Sequence, residues 1–268
     1  DLHKAIRRQR QMCIRDRTLF LLVPSVTQSF GVSALPRVTR AFQTGDSQKL
    51  KRTVEAVLRI TFLTALPMGV GLSVLAQPAA LLIYGARPGT VIVGRVLTTL
   101  GAASVFAALC GPLNSILQAM GHVELPVVLT LIGLFVKAVL DYTLAAVPSV
   151  NVLGGAVGTL VCYALTSVLA CIAIRRIAGV KIDFFSTFKK PFLASVCCGV
   201  AALLTHKAWC AVLPESRFSA LPAVFLGALI YVVFLLIARG ICEEDIKALP
   251  NGEKITKRLE KYLQKTGG

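Results

Sequence analysis

Long apolar stretches recur along almost the whole chain, and they constrain its fold more than any other feature. Each is long enough to cross the hydrocarbon core of a bilayer, which takes about 20 residues of helix. The stretches are residues 18–38, 53–75, 91–120, 125–147, 152–174, 188–212 and 219–238. A backbone surrounded by lipid must satisfy its own hydrogen bonds, so such stretches are helical. We therefore predict an all-α polytopic membrane bundle of about seven transmembrane helices.

The connections between the stretches differ in their content of lysine and arginine. Basic residues are frequent after the first, fifth and seventh stretches, whereas the other connections carry two at most. Cytoplasmic loops of membrane proteins are enriched in these residues. The pattern predicts that Thr18 begins outside the cytoplasm and that the C-terminus is cytoplasmic.

The formal net charge of +16 raises the alternative of a nucleic-acid partner. The basic residues stand in short clusters between apolar stretches, and aromatic residues are not interleaved with them as base stacking requires. We therefore expect no nucleic-acid partner. The eight cysteines include no C-x-x-C pair and lie mostly within apolar stretches, which favours packing over metal binding or disulfides. We expect neither a metal site nor a cofactor.

Both ends of the chain differ from its apolar centre. Residues 1–17 are charged and contain the string MCIRDR, which resembles a translated sequencing adapter, so we expect Met12 to Arg17 not to be native. Residues 18–240 form the predicted transmembrane domain, and residues 241–268 a basic cytoplasmic tail. An amphipathic helix on an anionic membrane surface and a solvated tail remain open for that tail.

Proline and glycine interrupt several of the apolar stretches, as at Pro67 and at Gly111-Pro112. A proline removes a backbone hydrogen bond and bends a helix. Either a transport cavity or ordinary packing between helices could accommodate these bends. Gly154 and Gly158 form a G-x-x-x-G pattern, which allows close helix approach, and we predict that it packs internally.

The sequence carries no motif of a soluble enzyme. A phosphate-binding loop, the H-E-x-x-H zinc motif and the G-x-S-x-G nucleophile motif are all absent from the 268 residues. We therefore predict that the protein is not an enzyme. Any transport would be facilitated or coupled to an ion gradient or the membrane potential.

Two charged residues lie inside the fourth apolar stretch, within GLFVKAVLDY. A charge at the bilayer centre costs about 2.5–3.5 kcal/mol on insertion scales, so such residues face a cavity or a partner. Lys137 and Asp141 are four residues apart and share one helix face. One interpretation is a self-neutralising pair. The other is a substrate-binding site in which Lys137 holds an anionic group such as a pyrophosphate, with Asp141 as a further contact.

Two amides in the third stretch form a second candidate site. Asn114 and Gln118 also share a helix face through their spacing of four. Amides in membrane spans usually bond between helices, and substrate binding is the alternative. Gln28 and Ser29 in the first stretch carry the same two interpretations.

Several segments together resemble a known family. They are FQTGDSQKLKRTVEAVLRITFLTALPMGVGLSVLAQPAALLIYG, PLNSILQAMGHVELPVVLTLIGLFVKAVLDY, NVLGGAVGTLVCYAL and EEDIKALPNGEKITKRLEKYL. Their order and spacing resemble stage V sporulation protein B-like polysaccharide transporters, in the multidrug/oligosaccharidyl-lipid/polysaccharide exporter superfamily. The resemblance covers about residues 18 to 265 and includes the intramembrane Lys137. Family members often have an asparagine where this chain has Asp141, which puts a shared role of that position in doubt.

The resemblance implies a flippase with fourteen helices in two lobes, of which this chain holds the last seven. The implied substrate is a lipid-linked oligosaccharide or peptidoglycan precursor in the cytoplasmic membrane of a bacterium. The implied partners are membrane lipids and an N-terminal lobe that this chain lacks. Two alternatives remain: a cation-coupled multidrug antiporter of the same superfamily, and a membrane assembly partner without transport activity. Several carboxylates in the spans would favour the antiporter, but Asp141 is almost the only one there.

Overall fold

The structure is a computed structural model in which regular secondary structure is helical wherever the chain is described. The described residues are 2–85, 90–145, 151–179, 184–212 and 220–237. The helices are α1 (Leu2–Gln43), α2 (Ser47–Val74), α3 (Ala76–Tyr84), α4 (Thr90–Ala119), α5 (Glu124–Ala145), α6 (Asn151–Ala178), α7 (Phe184–Val212) and α8 (Ala220–Ile237). The predicted all-α polytopic fold is confirmed. The predicted cytoplasmic tail lies outside the described residues.

Five helices are long and apolar enough to cross a membrane, namely α2, α4, α5, α6 and α7. They correspond to the second through sixth predicted stretches. In α8 the described apolar part, Pro222–Tyr231, is shorter. α1 contains the first predicted stretch but is not among the five. The first and seventh spans therefore stay predictions.

A tight turn joins α1 to α2 in the basic region that follows the first stretch. Gly45 has a φ of 68°, a left-handed conformation that residues with a side chain rarely adopt. The carboxylate of Asp46 then accepts a hydrogen bond from the backbone N–H of Lys49 at 2.9 Å. Capping of this kind stabilises a helix by about 1 kcal/mol. The turn makes α1 and α2 neighbours.

α4 is the central helix and packs against α1, α2 and α6. It runs parallel to α1, because the hydroxyl groups of Thr27 and Thr39 reach the carbonyl oxygens of Ala108 and Ala119. It runs antiparallel to α2, where Gly69 lies against Val105 and the hydroxyl of Ser73 reaches the carbonyl of Thr98.

α5 lies at the edge of the bundle and packs mainly on α6 in the antiparallel direction. Gly133 of α5 lies against Thr166, and Leu144 lies against Gly154 of α6. Gly154 and Gly158 thus serve helix packing within this chain, which confirms the prediction for that pattern. The contact leaves most of the apolar surface of α5 exposed.

α7 and α8 form an antiparallel pair that packs against α2. Phe188 of α7 meets Phe62 of α2 edge to face, with ring centroids 5.2 Å apart. Within the pair, the thiol of Cys198 donates to the carbonyl of Gly227 at 3.1 Å. The pair extends the bundle on the side of α2.

The carbonyl groups that two prolines leave without a donor are satisfied by hydroxyl groups from other helices. Pro112 lacks an N–H, which frees the carbonyl of Ala108 four residues earlier, and the hydroxyl of Thr27 donates to that carbonyl at 2.9 Å. Pro67 likewise frees the carbonyl of Leu63, and the hydroxyl of Tyr231 in α8 donates to it. At these two positions packing between helices satisfies the freed carbonyl, as one of the two alternatives predicted.

Candidate functional site

Lys137 and Asp141 both lie on the face of α5 that meets α6. Gly158 of α6 provides the space for them: a Cβ added there would overlap Oδ1 of Asp141 and lie 3.6 Å from Cγ of Lys137. The shared face predicted from their spacing is confirmed, and the structure adds that this face meets a glycine.

The two charged groups do not neutralise each other through direct contact. Lys137 and Asp141 form no ion pair within 4.0 Å. Oδ1 of Asp141 is buried and has no hydrogen-bond partner among the described residues. Burial of an unpaired polar group costs free energy. The pair thus retains unused capacity to bind a further polar or ionic group.

The amide side chains belong to α1 and α4, two helices that pack against each other. Asn114 is partly exposed, but its Oδ1 is buried and lacks a hydrogen-bond partner among the described residues. Gln118, one turn further on α4, is exposed. Gln28 of α1 is exposed as well and lies against Gly111, since a Cβ added at Gly111 would overlap its Oε1.

The four predicted site residues do not form one cluster. Asn114 lies five residues before the end of α4 at Ala119, and Lys137 lies thirteen after the start of α5 at Glu124. At 1.5 Å per residue, these positions differ by roughly 12 Å in their distance from the turn between the two helices. Asn114 and Gln118 form no hydrogen bond with Lys137 or Asp141. The structure therefore contains a charged pair and a separate group of amides.

The exposed faces of the helices differ in polarity. α1 exposes Ser25, Gln28 and Ser29 among its apolar residues. The exposed large side chains of α5 are apolar or aromatic: Val127, Val128, Leu131, Ile132, Leu134, Phe135, Val139 and Tyr142. Lipid tails favour an apolar surface such as that of α5. The polar side of α1 and α4 is thus the better candidate for a water-lined surface.

The pattern of the sequence did not reveal the importance of Thr27 and Tyr231. Each supplies the hydroxyl for a carbonyl four residues before a proline. The position of the proline shows which carbonyl is freed, but the partner is far away in the sequence. The described part of the chain has no group of three metal-ligating side chains, and its cysteines are free.

Comparison with known proteins identifies a matching family and several relatives of this chain. A model of the family described as lipid II flippase MurJ matches residues 17–222. Stage V sporulation protein B of Bacillus subtilis (strain 168) is 24% identical over 239 residues, which are 87% of this chain and 44% of that protein. The uncharacterized membrane protein YabM of the same strain is 22% identical over 265 residues, 94% of this chain and 47% of that protein.

A third relative carries the name of the family itself. Lipid II flippase MurJ of Bacillus subtilis (strain 168) is 24% identical over 162 residues, 60% of this chain and 29% of that protein. The chain thus spans less than half the length of each of these relatives. The matched residues include the α1–α4 contact and the charged pair of α5. Because the family match extends over more than half of its residues, the chain belongs to the lipid II flippase MurJ family.

Proposed function

We propose that the protein acts in the translocation of a lipid-linked oligosaccharide or peptidoglycan precursor across the cytoplasmic membrane of a bacterium. Membership of the lipid II flippase MurJ family is the observation that carries this proposal. A lipid-linked sugar diphosphate has a hydrated anionic head and an apolar tail. Its head needs a polar passage between helices, and its tail needs access to lipid.

Alternating closure of two helical lobes would move the head group from one side to the other. The chain spans less than half of each matched relative. We propose that its helices form one lobe and that a further, N-terminal lobe completes the passage. The exposed polar residues of α1 and α4 support a passage on that side of the bundle.

Lys137 is the proposed anchor for the diphosphate. Its ammonium group has no carboxylate of the described residues within 4.0 Å, although it lies near the middle of an apolar helix. An unpaired charge at this depth is costly, so a bound anion would stabilise it. A lysine is a compact, strongly hydrated charge that can bind a phosphate and release it again.

Asp141, Asn114 and Gln118 are the other proposed substrate contacts. Asp141 lies one turn from Lys137, so its negative charge would weaken anion binding and favour release. Asn114 and Gln118 lie nearer the turn between α4 and α5. A head group moving along the bundle would meet the amides and the charged pair at different depths.

We propose that the C-terminus and the turn between α1 and α2 face the cytoplasm. The basic residues of that turn support this orientation under the positive-inside rule. Apolar residues from the ends of α1 and α6 and the start of α2 lie in one cluster, so the basic ends of these helices are neighbours.

The proposed activity moves a lipid and changes no covalent bond, so the protein is not an enzyme.

The experiment is a flipping assay on the full-length protein in vesicles that contain a fluorescent lipid-linked disaccharide diphosphate. We expect Lys137→Ala to reduce the flipping rate at least about tenfold, since the anion loses a charge-assisted contact. Lys137→Arg should retain part of the rate. Lys49→Ala is the matched control, because Lys49 is exposed in the turn between α1 and α2.

The lipid recovered from the assay should have an unchanged mass. A full flipping rate in Lys137→Ala would remove this residue from the mechanism. Absence of flipping by the wild-type protein would contradict the proposed function itself.

A further inference from the structure

The contact between α1 and α4 places neutral amides of both helices close to Pro112. Gly111 and Pro112 lie within α4, and Gly31 of α1 packs against Pro112. Gln28 lies directly against Gly111, because the glycine has no Cβ to displace it. Asn114 follows Gly111 by three residues, which is about one turn of helix. An amide of α1 thus lies within about one helical turn of an amide of α4.

The amides differ from the neighbouring hydroxyl groups in their hydrogen bonding. The hydroxyls of Thr27 and Ser115 donate to backbone carbonyls at 2.9 and 3.1 Å. The side chains of Gln28, Asn114 and Gln118 make no hydrogen bond with any described residue. An amide offers two donors and one acceptor oxygen, and unmet capacity within an apolar bundle costs free energy. These three groups are therefore available to a ligand.

The chemistry of this group of amides is neutral. The only lysine or arginine of α4 is Arg95, which lies nineteen residues before Asn114. In the described part of α1, the basic residue nearest to Gln28 in the sequence is Arg37, nine residues after it. A phosphate would find no cation on these two helices close to Gln28 and Asn114, whereas Gln118 precedes Ala119, whose carbonyl accepts from Thr39 between Arg37 and Arg40. Sugar hydroxyl and acetamido groups both donate and accept hydrogen bonds, as amides do. The amides match the saccharide rather than the diphosphate of a lipid-linked substrate.

We propose that Gln28 and Asn114 form a saccharide subsite beside the α1–α4 contact, separate from the diphosphate anchor at Lys137. This inference rests on the proposed function and divides the recognition of one head group between two places. The level of Asn114 lies roughly 12 Å from that of Lys137 along the helices, as follows from a rise of 1.5 Å per residue. A disaccharide diphosphate is long enough to span such a distance.

The test compares two lipids on the full-length protein in nanodiscs: a prenyl diphosphate that carries a disaccharide and the same prenyl diphosphate without sugar. The variants are Gln28→Met and Asn114→Leu, which keep the size of each side chain and remove its amide. We expect each to weaken binding of the sugar-bearing lipid about five- to tenfold, the effect of one lost hydrogen bond. Binding of the sugar-free lipid should change less than about twofold.

Gln43→Leu is the matched control, because Gln43 is an exposed amide at the end of α1. It should leave the affinities for both lipids unchanged. Equal weakening for both lipids, or lower thermal stability with unchanged affinities, would overturn the subsite and assign the amides to helix packing. In that case wild-type flipping would persist, and the proposed function would stand. Failure of the wild-type protein to bind either lipid would instead overturn the proposed function, and this inference with it.

Discussion

The hydroxyl of Thr27 in α1 donates a hydrogen bond to the carbonyl of Ala108 in α4 at 2.9 Å. This carbonyl is the one that Pro112 leaves without an intrahelical donor. A polar group of one helix thus satisfies a carbonyl that a proline frees in another, close to the contact of Gln28 with Gly111. The relationship connects the packing of the bundle to the proposed saccharide subsite.

Loss of this hydroxyl should destabilise the bundle. We expect Thr27→Val to lower the free energy of unfolding by about 1 kcal/mol, because the Ala108 carbonyl is then buried without a donor. Thr27→Ser keeps the hydroxyl and should lose less. Thermal or SDS-induced unfolding of the purified protein would measure the difference.

Thr143→Val is the matched control for this substitution. Thr143 is exposed on α5, and its hydroxyl donates only to carbonyls of its own helix. An equal loss of stability in both valine variants would contradict a specific role for Thr27.

The hydroxyl of Tyr231 should anchor α8 to α2 in the same way. We expect Tyr231→Phe to lower the free energy of unfolding by about 1 kcal/mol and to speed amide exchange in α8, since the Leu63 carbonyl loses its donor. Tyr142→Phe is the control, because Tyr142 is 84% exposed on α5. Hydrogen-exchange mass spectrometry would measure both variants. Unchanged exchange in α8 of Tyr231→Phe would rule out the anchor.

A side chain at Gly158 should separate α5 from α6. A Cβ there would overlap Oδ1 of Asp141, so we expect Gly158→Ala to destabilise the protein by about 1–3 kcal/mol. Gly155→Ala is the control, because nothing lies within 4 Å of its added Cβ. The measurement is again the unfolding midpoint of the purified protein.

A double variant tests whether Asp141 causes this effect. Asp141→Ala removes the carboxylate that a methyl group at Gly158 would meet. The loss in Gly158→Ala should therefore be smaller when Asp141→Ala is already present. Strictly additive effects of the two substitutions would show that Gly158 and Asp141 do not contact each other.

The proposed orientation predicts the compartment of each connection. A reporter fused after Lys190, near the start of α7, should behave as cytoplasmic, and one fused after Ser216 should behave as external. The reason is the excess of basic residues in the connection between α6 and α7. Paired phosphatase and fluorescent-protein fusions would measure this. The reverse pattern would overturn the orientation.

The sequence by itself determined where the long helices lie and which nearby residues share one helix face. The apolar stretch 91–120 became α4 (Thr90–Ala119), and the spacing of four placed Lys137 and Asp141 on one face. These features are local, because hydropathy and helical periodicity act over about one turn to one span. The resemblance noted in the sequence also led to the correct family.

Only the tertiary structure decided which groups meet across the bundle. The hydroxyl partners of the freed carbonyls are 81 residues away for Thr27 and Ala108, and 168 residues away for Tyr231 and Leu63. Likewise, only the packing of α5 on α6 brings Asp141 against Gly158. The periodicity of a helix says which residues share a face but not which helix that face meets. That choice depends on how all the helices pack together, as does the separation of the amides from the charged pair.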